Sequence, residues 1–176
     1  MTFLTSLACK YLTLISEIQL PTLCLDTFIK APRQRVFDLS GSITLHTVSM
    51  IHTKEKAVAG VTSGLINVNE TVTWEANQFF KKRFLETKIT AMRPYSFFID
   101  EMIKGDFSVM KHEHHFKEDG EGPLMADVFL FETPYGRLGK LVNKMFLTTY
   151  LQKLLEKRNL VIKEYAETDK WKEVLY

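Results

Sequence analysis

The stretch that most constrains the fold runs from Gly60 to Thr133, where one β-rich run follows another with only short turn signals between them. Asn67-Val68-Asn69-Glu70 has the composition of a hairpin turn between Gly64-Leu65-Ile66 and Thr71-Val72-Thr73-Trp74. A run from Phe84 to Met92 stops at Arg93-Pro94, and another from Tyr95 to Ile103 stops at Gly105-Asp106. The next, Phe107 to Lys117, ends in Glu118-Asp119-Gly120-Glu121-Gly122, and Leu124 to Glu132 ends at Pro134. Parallel neighbours need a long crossover, so strands joined by such short turns predict an antiparallel meander.

What flanks the meander completes an α+β pattern. Thr22 to Ile29 reads as a first strand, and Pro32 suits the first turn of a helix, where its missing N–H would be unpaired anyway. That short helix passes through Phe37 and Leu39 and stops near Gly41; Ser42 then caps a second, from Ile43 to about Ile51. After the meander, Leu138, Leu141, Val142, Met145, Phe146, Leu151, Leu154 and Leu155 recur at spacings of three and four. They predict a long helix from Gly136 to about Leu160 with a broad apolar face. One wide-faced helix and one sheet with an apolar face suit each other.

Bulk properties exclude several classes. The 176 residues fit a single domain, with no repeat, low-complexity tract or linker. The 13 Phe and 2 Trp ask for a wide interior, or one that aliphatics leave partly unfilled. A net charge of +2, with Lys and Arg spread among Asp and Glu, lacks the basic stripe that nucleic acid requires. Cys9 and Cys24 make no C-x-x-C pair and read as thiols rather than zinc ligands. Residues 1–20 are apolar, but Lys10 and Glu17 interrupt them, which fits neither a signal peptide nor a membrane span. The expected organisation is an N-terminal extension over 1–17, a domain over 18–166 and a tail over 167–176, in the cytoplasm, as monomer or dimer.

Certain segments resemble a known superfamily. They are Ile29-x-Ala31-Pro32-x-x-x-Val36-Phe37-Asp38-Leu39, Leu45-His46-Thr47, Gly60 to Ile66 with Glu70 to Trp74, and Ile89-Thr90-Ala91. The likeness continues in Phe98 to Met102, Gly105-Asp106-Phe107, His112-Glu113-His114-x-Phe116, Met125-x-Asp127 and Pro134-x-Gly136-x-Leu138-Gly139. Covering roughly Leu25 to Ile162, it resembles a bacterial, polyketide-cyclase-like branch of the START-like (SRPBCC) superfamily. The resemblance implies a helix-grip fold: a curved antiparallel sheet of about seven strands around a long C-terminal helix, with two short helices after the first strand. It further implies an apolar cavity. It does not imply a reaction, since the superfamily hosts binders and enzymes alike.

The polar residues worth following are few. On a strand, alternate side chains share a face, so Met110, His112, His114 and Phe116 fall together and are assigned to the cavity. Two imidazoles on one face, about 7 Å apart, suit structural hydrogen bonding, ligand binding, acid–base work or a metal with a carboxylate from Glu75, Asp100, Glu101 or Asp127. Asp100-Glu101 lies within the apolar run Phe97 to Ile103, so one carboxylate shares a face with apolar neighbours and needs a partner such as a histidine. His46 reads as a helix-surface or packing histidine near one cavity end, and Arg137 as a solvated charge or an anion contact at the mouth.

No phosphate loop, nucleophile elbow or H-E-x-x-H motif is present. The expected function is binding or carriage of a hydrophobic small molecule such as a lipid, isoprenoid or polyketide. Trp74, Ile89, Phe98, Met110, His112, His114, Phe116, Met145 and Phe146 are the expected lining, and no cofactor or metal is assigned. The alternatives are a cyclase, dehydratase or isomerase using His112 or His114 with Asp100 or Glu101, and a regulatory interaction module of the cell envelope or division.

Overall fold

The structure is a computed structural model that describes residues 20–78, 81–134 and 146–175. Strand β1 (Thr22–Phe28) leads into helices α1 (Arg33–Ser40) and α2 (Ile43–Ser49) and a short 3-10 turn, Ile51–Thr53. Strands β2 (Lys56–Gly60), β3 (Thr71–Gln78), β4 (Lys81–Arg93), β5 (Phe97–Lys104), β6 (Val109–Asp119) and β7 (Gly122–Glu132) follow. Helix α3 covers Thr148–Glu167, and a 3-10 turn, Asp169–Trp171, precedes the final short helix α4 (Lys172–Leu175).

All seven strands form one antiparallel sheet in the order β1-β7-β6-β5-β4-β3-β2. This is the expected helix-grip architecture: a meander from β2 to β7, with β1 returning to pair with β7. The register slips between Ala57 and Ala59, between Glu86 and Thr87, and between Ile89 and Ala91. Bulges of this kind bend a strand and increase its twist, which lets the sheet curve around α3.

Three local readings change. The strand expected at Gly64–Ile66 is instead Lys56–Gly60, and Val61–Glu70 forms a long connection in which Leu65 makes only an isolated bridge to Ser42. Strand β5 begins at Phe97, because Tyr95 turns left-handed (φ 60°) and Ser96 N donates to Arg93 O at 3.0 Å. Helix α3 continues to Glu167, past the expected end near Leu160, because Ile162 and Ala166 stay buried in the core with Ile29, Val36 and Leu39. The expected start of this helix at Gly136 lies outside the described residues. Cys24 is disulfide-bonded, so the reading of it as a thiol does not hold.

Two close fits set the frame around the site. Ser42 accepts a hydrogen bond from Leu45 N (3.2 Å), capping α2 as expected. At the start of β7, a Cβ on Gly122 would come within 2.0 Å of Ile29 O, so only glycine lets the end of β1 lie this close. At the other end of the chain, Trp171, Val174 and Leu175 pack against the core, and Arg35 stacks over the Trp171 ring at 4.4 Å. No helix among the described residues is long and apolar enough to cross a membrane.

Candidate ligand cavity

Between the concave face of the sheet and α3 lies a cavity of about 590 Å³. Its lining includes Trp74, Ile89, Phe98, Met110, His112 and His114 from the sheet, Leu154 and Leu155 from α3, and Phe146 just before α3. Phe84 on β4 and Phe146 both line it while remaining more than half exposed. Met145 lies outside the described residues, as does Arg137. Two expected residues are placed elsewhere. Phe116 is absent from the lining because it is buried edge-on against Phe37 of α1, ring centroids 5.3 Å apart. Glu101 falls on the outer face, between Lys88 and Lys111 on the adjacent strands.

The histidine pair meets a carboxylate: Asp127, one of the four the sequence offered, rather than the Asp100 or Glu101 expected to tune an acid–base histidine. Asp127 on β7 stands directly opposite His114 in the register and is fully buried. His112 Nε2 lies 3.0 Å from Asp127 Oδ1 and donates to it, while His114 Nδ1 lies 2.7 Å from the same oxygen. The His114 contact is an electrostatic one, because that nitrogen is not aligned for a full hydrogen bond. Asn159 of α3 donates to Asp127 Oδ2 at 2.6 Å and to Thr27 Oγ1 at 3.2 Å, tying the helix to β7 and β1. The two imidazole centroids are only 3.8 Å apart, closer than their strand spacing suggests, and His114 also stacks on Phe98 at 4.2 Å.

The charge states follow from these contacts. Burial by itself would raise the pKa of Asp127, but the two histidine contacts overcome it and hold the carboxyl well below its usual range. His114 is pushed well below the ordinary histidine value, first by burial and then by the nearby His112; Asp127 opposes the shift without reversing it. The cluster therefore sets an ionised Asp127 against a neutral His114 ring. Asp127 was legible as a lone acid inside the apolar run Leu124–Phe131, and its choice over Asp100 depends on register.

Asp100, opposite His112 on β5, lines the cavity without such support. It is enclosed by protein, and the surface it retains faces the cavity rather than bulk water. Burial raises its pKa, and Oδ1 has no hydrogen-bond partner; Thr87 stands beside it but poorly aligned, its own hydroxyl also unpartnered.

Three residues of the site were missed in sequence. Arg158 and Asn159 continue the helical stripe of Leu151, Leu154, Leu155 and Ile162, so a polar pair at apolar-stripe positions was the available signal. Arg158 lines the cavity and reaches back from α3 to donate to Ser40 O at 2.9 Å. Glu55 precedes β2 and holds His46 Nε2 at 2.6 Å; His46 stacks on Trp74 at 4.1 Å, and all three line the cavity. His46 is thus a cavity residue rather than a helix-surface one.

One ligand atom from each of His112, His114 and Asp127 falls within 4.8 Å of the others, a donor set that divalent metals use. Here His112 and Asn159 already occupy the carboxylate oxygens, and the positive Arg158 acts on His114. That arrangement fits a hydrogen-bonded network better than a cation site.

No protein-family model matches this chain, and no curated protein sequence does. Solved structures do. TTHA0849 from Thermus thermophilus superposes with a TM-score of 0.65 at 19% identity, covering 83% of this chain and 97% of its own. A START superfamily protein from Mycobacterium smegmatis gives 0.63 at 12% identity, covering 83% and 97%. Ara h 8.0201 gives 0.60 at 11% identity, covering 84% and 98%. The fold is the START-like (SRPBCC) helix-grip fold.

Proposed function

We propose that this protein binds or carries a hydrophobic small molecule in the cavity between the sheet and α3. The observation that carries this reading is the cavity itself: about 590 Å³ of space with aromatic and aliphatic walls and a few fixed polar groups. Ligand pockets usually have this anatomy. Structural neighbours that share the fold, among them the START superfamily protein from Mycobacterium smegmatis, support it at the level of architecture. A lipid, isoprenoid or polyketide-like skeleton matches the lining.

The test is native mass spectrometry of freshly purified protein, with titration of a neutral apolar fluorophore such as N-phenyl-1-naphthylamine. A co-purifying apolar molecule, or saturable fluorescence enhancement at micromolar protein, is the expected result. A clean apo mass together with no enhancement would remove the reading.

A second reading, an acid–base enzyme, draws on one observation. His46 is oriented by Glu55, packed against Trp74 and turned to the cavity, which is the geometry of a positioned general base. Conversion of a bound ligand on incubation, abolished in His46→Gln but not in Lys88→Ala, would favour the enzyme over the carrier.

A further inference from the structure

The polar wall of the cavity does not satisfy itself. Arg158 commits Nη2 to the Ser40 carbonyl, but Nη1 is buried without a hydrogen-bond partner, and no ion pair to it forms among the described residues. A guanidinium keeps its charge in any protein, and a buried charge lacking a contact partner is costly.

Three acids lie near enough for their charge to act on Arg158: Asp127, Asp100 and Glu55. None supplies the missing contact. Asp127 has His112 and His114 at one oxygen and Asn159 at the other. Glu55 is bonded to His46. Burial raises the pKa of Asp100, but it makes no ion pair with Arg158, and the neighbouring Thr87 hydroxyl has no hydrogen-bond partner. One guanidinium nitrogen, Arg158 Nη1, is therefore left without a contact partner.

Resting on the binding reading above, we propose that the cavity's ligand is an apolar body ending in a carboxylate, seated against Arg158 with Thr87 as a further donor. The planar guanidinium fork matches a carboxylate in shape and charge. A hydroxyl end would leave Nη1 without a charged contact partner. A phosphate would bring more charge than the wall can meet, because Arg83, the only other lining Arg or Lys among the described residues, is already paired with Asp106 at 2.9 Å. Fatty acids and aromatic acids share the required chemistry.

The experiment displaces N-phenyl-1-naphthylamine from the full chain at pH 8 with two matched pairs, dodecanoate with 1-dodecanol and 2-naphthoate with 2-naphthol. At least one acid should bind roughly ten- to a hundredfold tighter than its alcohol, the range expected of a charge-assisted hydrogen bond; which pair shows it separates chain from ring. Arg158→Leu should abolish the preference, so that within that variant the acid and its alcohol displace the fluorophore with equal affinity. Should that variant fail to fold, Thr87→Val should lower the acid preference several-fold. Equal affinities for acid and alcohol, or fluorophore binding that neither acid displaces, overturn the carboxylate and leave the carrier standing. Absence of fluorophore binding overturns the carrier and this inference with it.

Discussion

The two faces of strand β6 make the most informative comparison in this protein. On the concave face, His112 and His114 are buried against Asp127. On the outer face, one residue away, Glu113 is flanked by Lys111 at 2.8 Å and His115 at 2.9 Å, and all three are only partly buried. The same residue types, histidine and carboxylate, meet at similar distances on both faces. Around Asp127, water is excluded, so charge state and hydrogen-bond count decide stability. Around Glu113, water screens the pairs and the side chains lose entropy in holding them, so the same distances are worth little. His115 and Lys111 still hold the Glu113 carboxyl down to about 2, partly offset by burial, yet that contributes far less than the buried network.

The largest expected break in this comparison is Asp127→Ala. It leaves His112 and Asn159 without their shared acceptor, and each buried donor left unpaired costs about 1–3 kcal/mol. Urea denaturation should show that loss; a change below about 1 kcal/mol would mean the network is not a stabilising unit.

Next in size is a pH dependence. The depressed pKa of His114 means the unfolded chain binds a proton near pH 6.5 that the folded chain refuses. Its contribution is therefore complete above that pH and is lost as pH falls below it. Asp127, also depressed, adds a further loss below about pH 4, the unfolded carboxyl range. Asp100, with its raised pKa, acts in the opposite sense: its contribution is present at low pH and is lost as pH rises through the folded-state value. Thermal melts between pH 7 and 5 should decline on acidification, and His114→Phe should flatten that decline. A wild-type melting temperature that is constant or rises over this range would contradict the assignment of His114 as a buried neutral ring.

The smallest expected effect sharpens the contrast from the other side. Glu113→Ala should cost less than about 1 kcal/mol and leave the slope between pH 7 and 5 unchanged. A loss comparable to that of Asp127→Ala would show that the outer pairs are not ordinary surface ion pairs.

The comparison also shows how far residue order alone reaches. Alternation along β6 separates Met110, His112 and His114 from Lys111, Glu113 and His115, because a pleated strand turns successive side chains to opposite faces. The same rule put Phe116 on the cavity face. It is on that face, but the strand has by then passed beneath α1, where Phe37 covers it. A facing rule carries no information about how far along a strand the cavity extends. Asp100–Glu101 illustrates the same limit: alternation requires the two carboxylates to part, without saying which one faces inward.

By itself the sequence determined the first strand, the succession of strands from β3 to β7, the short helices at Pro32 and Ser42, a long helix with a broad apolar face, and the α+β architecture these impose. Local signals suffice there, since turns, caps and hydrophobic period act over a few residues. Only the tertiary structure decided that Asp127 rather than Asp100 serves the histidines, that Arg158 reaches the cavity and Asn159 reaches Asp127 from α3, and that His46 meets Glu55 over Trp74. Those pairings join residues distant in the chain. They depend on strand register and on how α3 lies across the sheet, and a one-residue slip in either would exchange the partners.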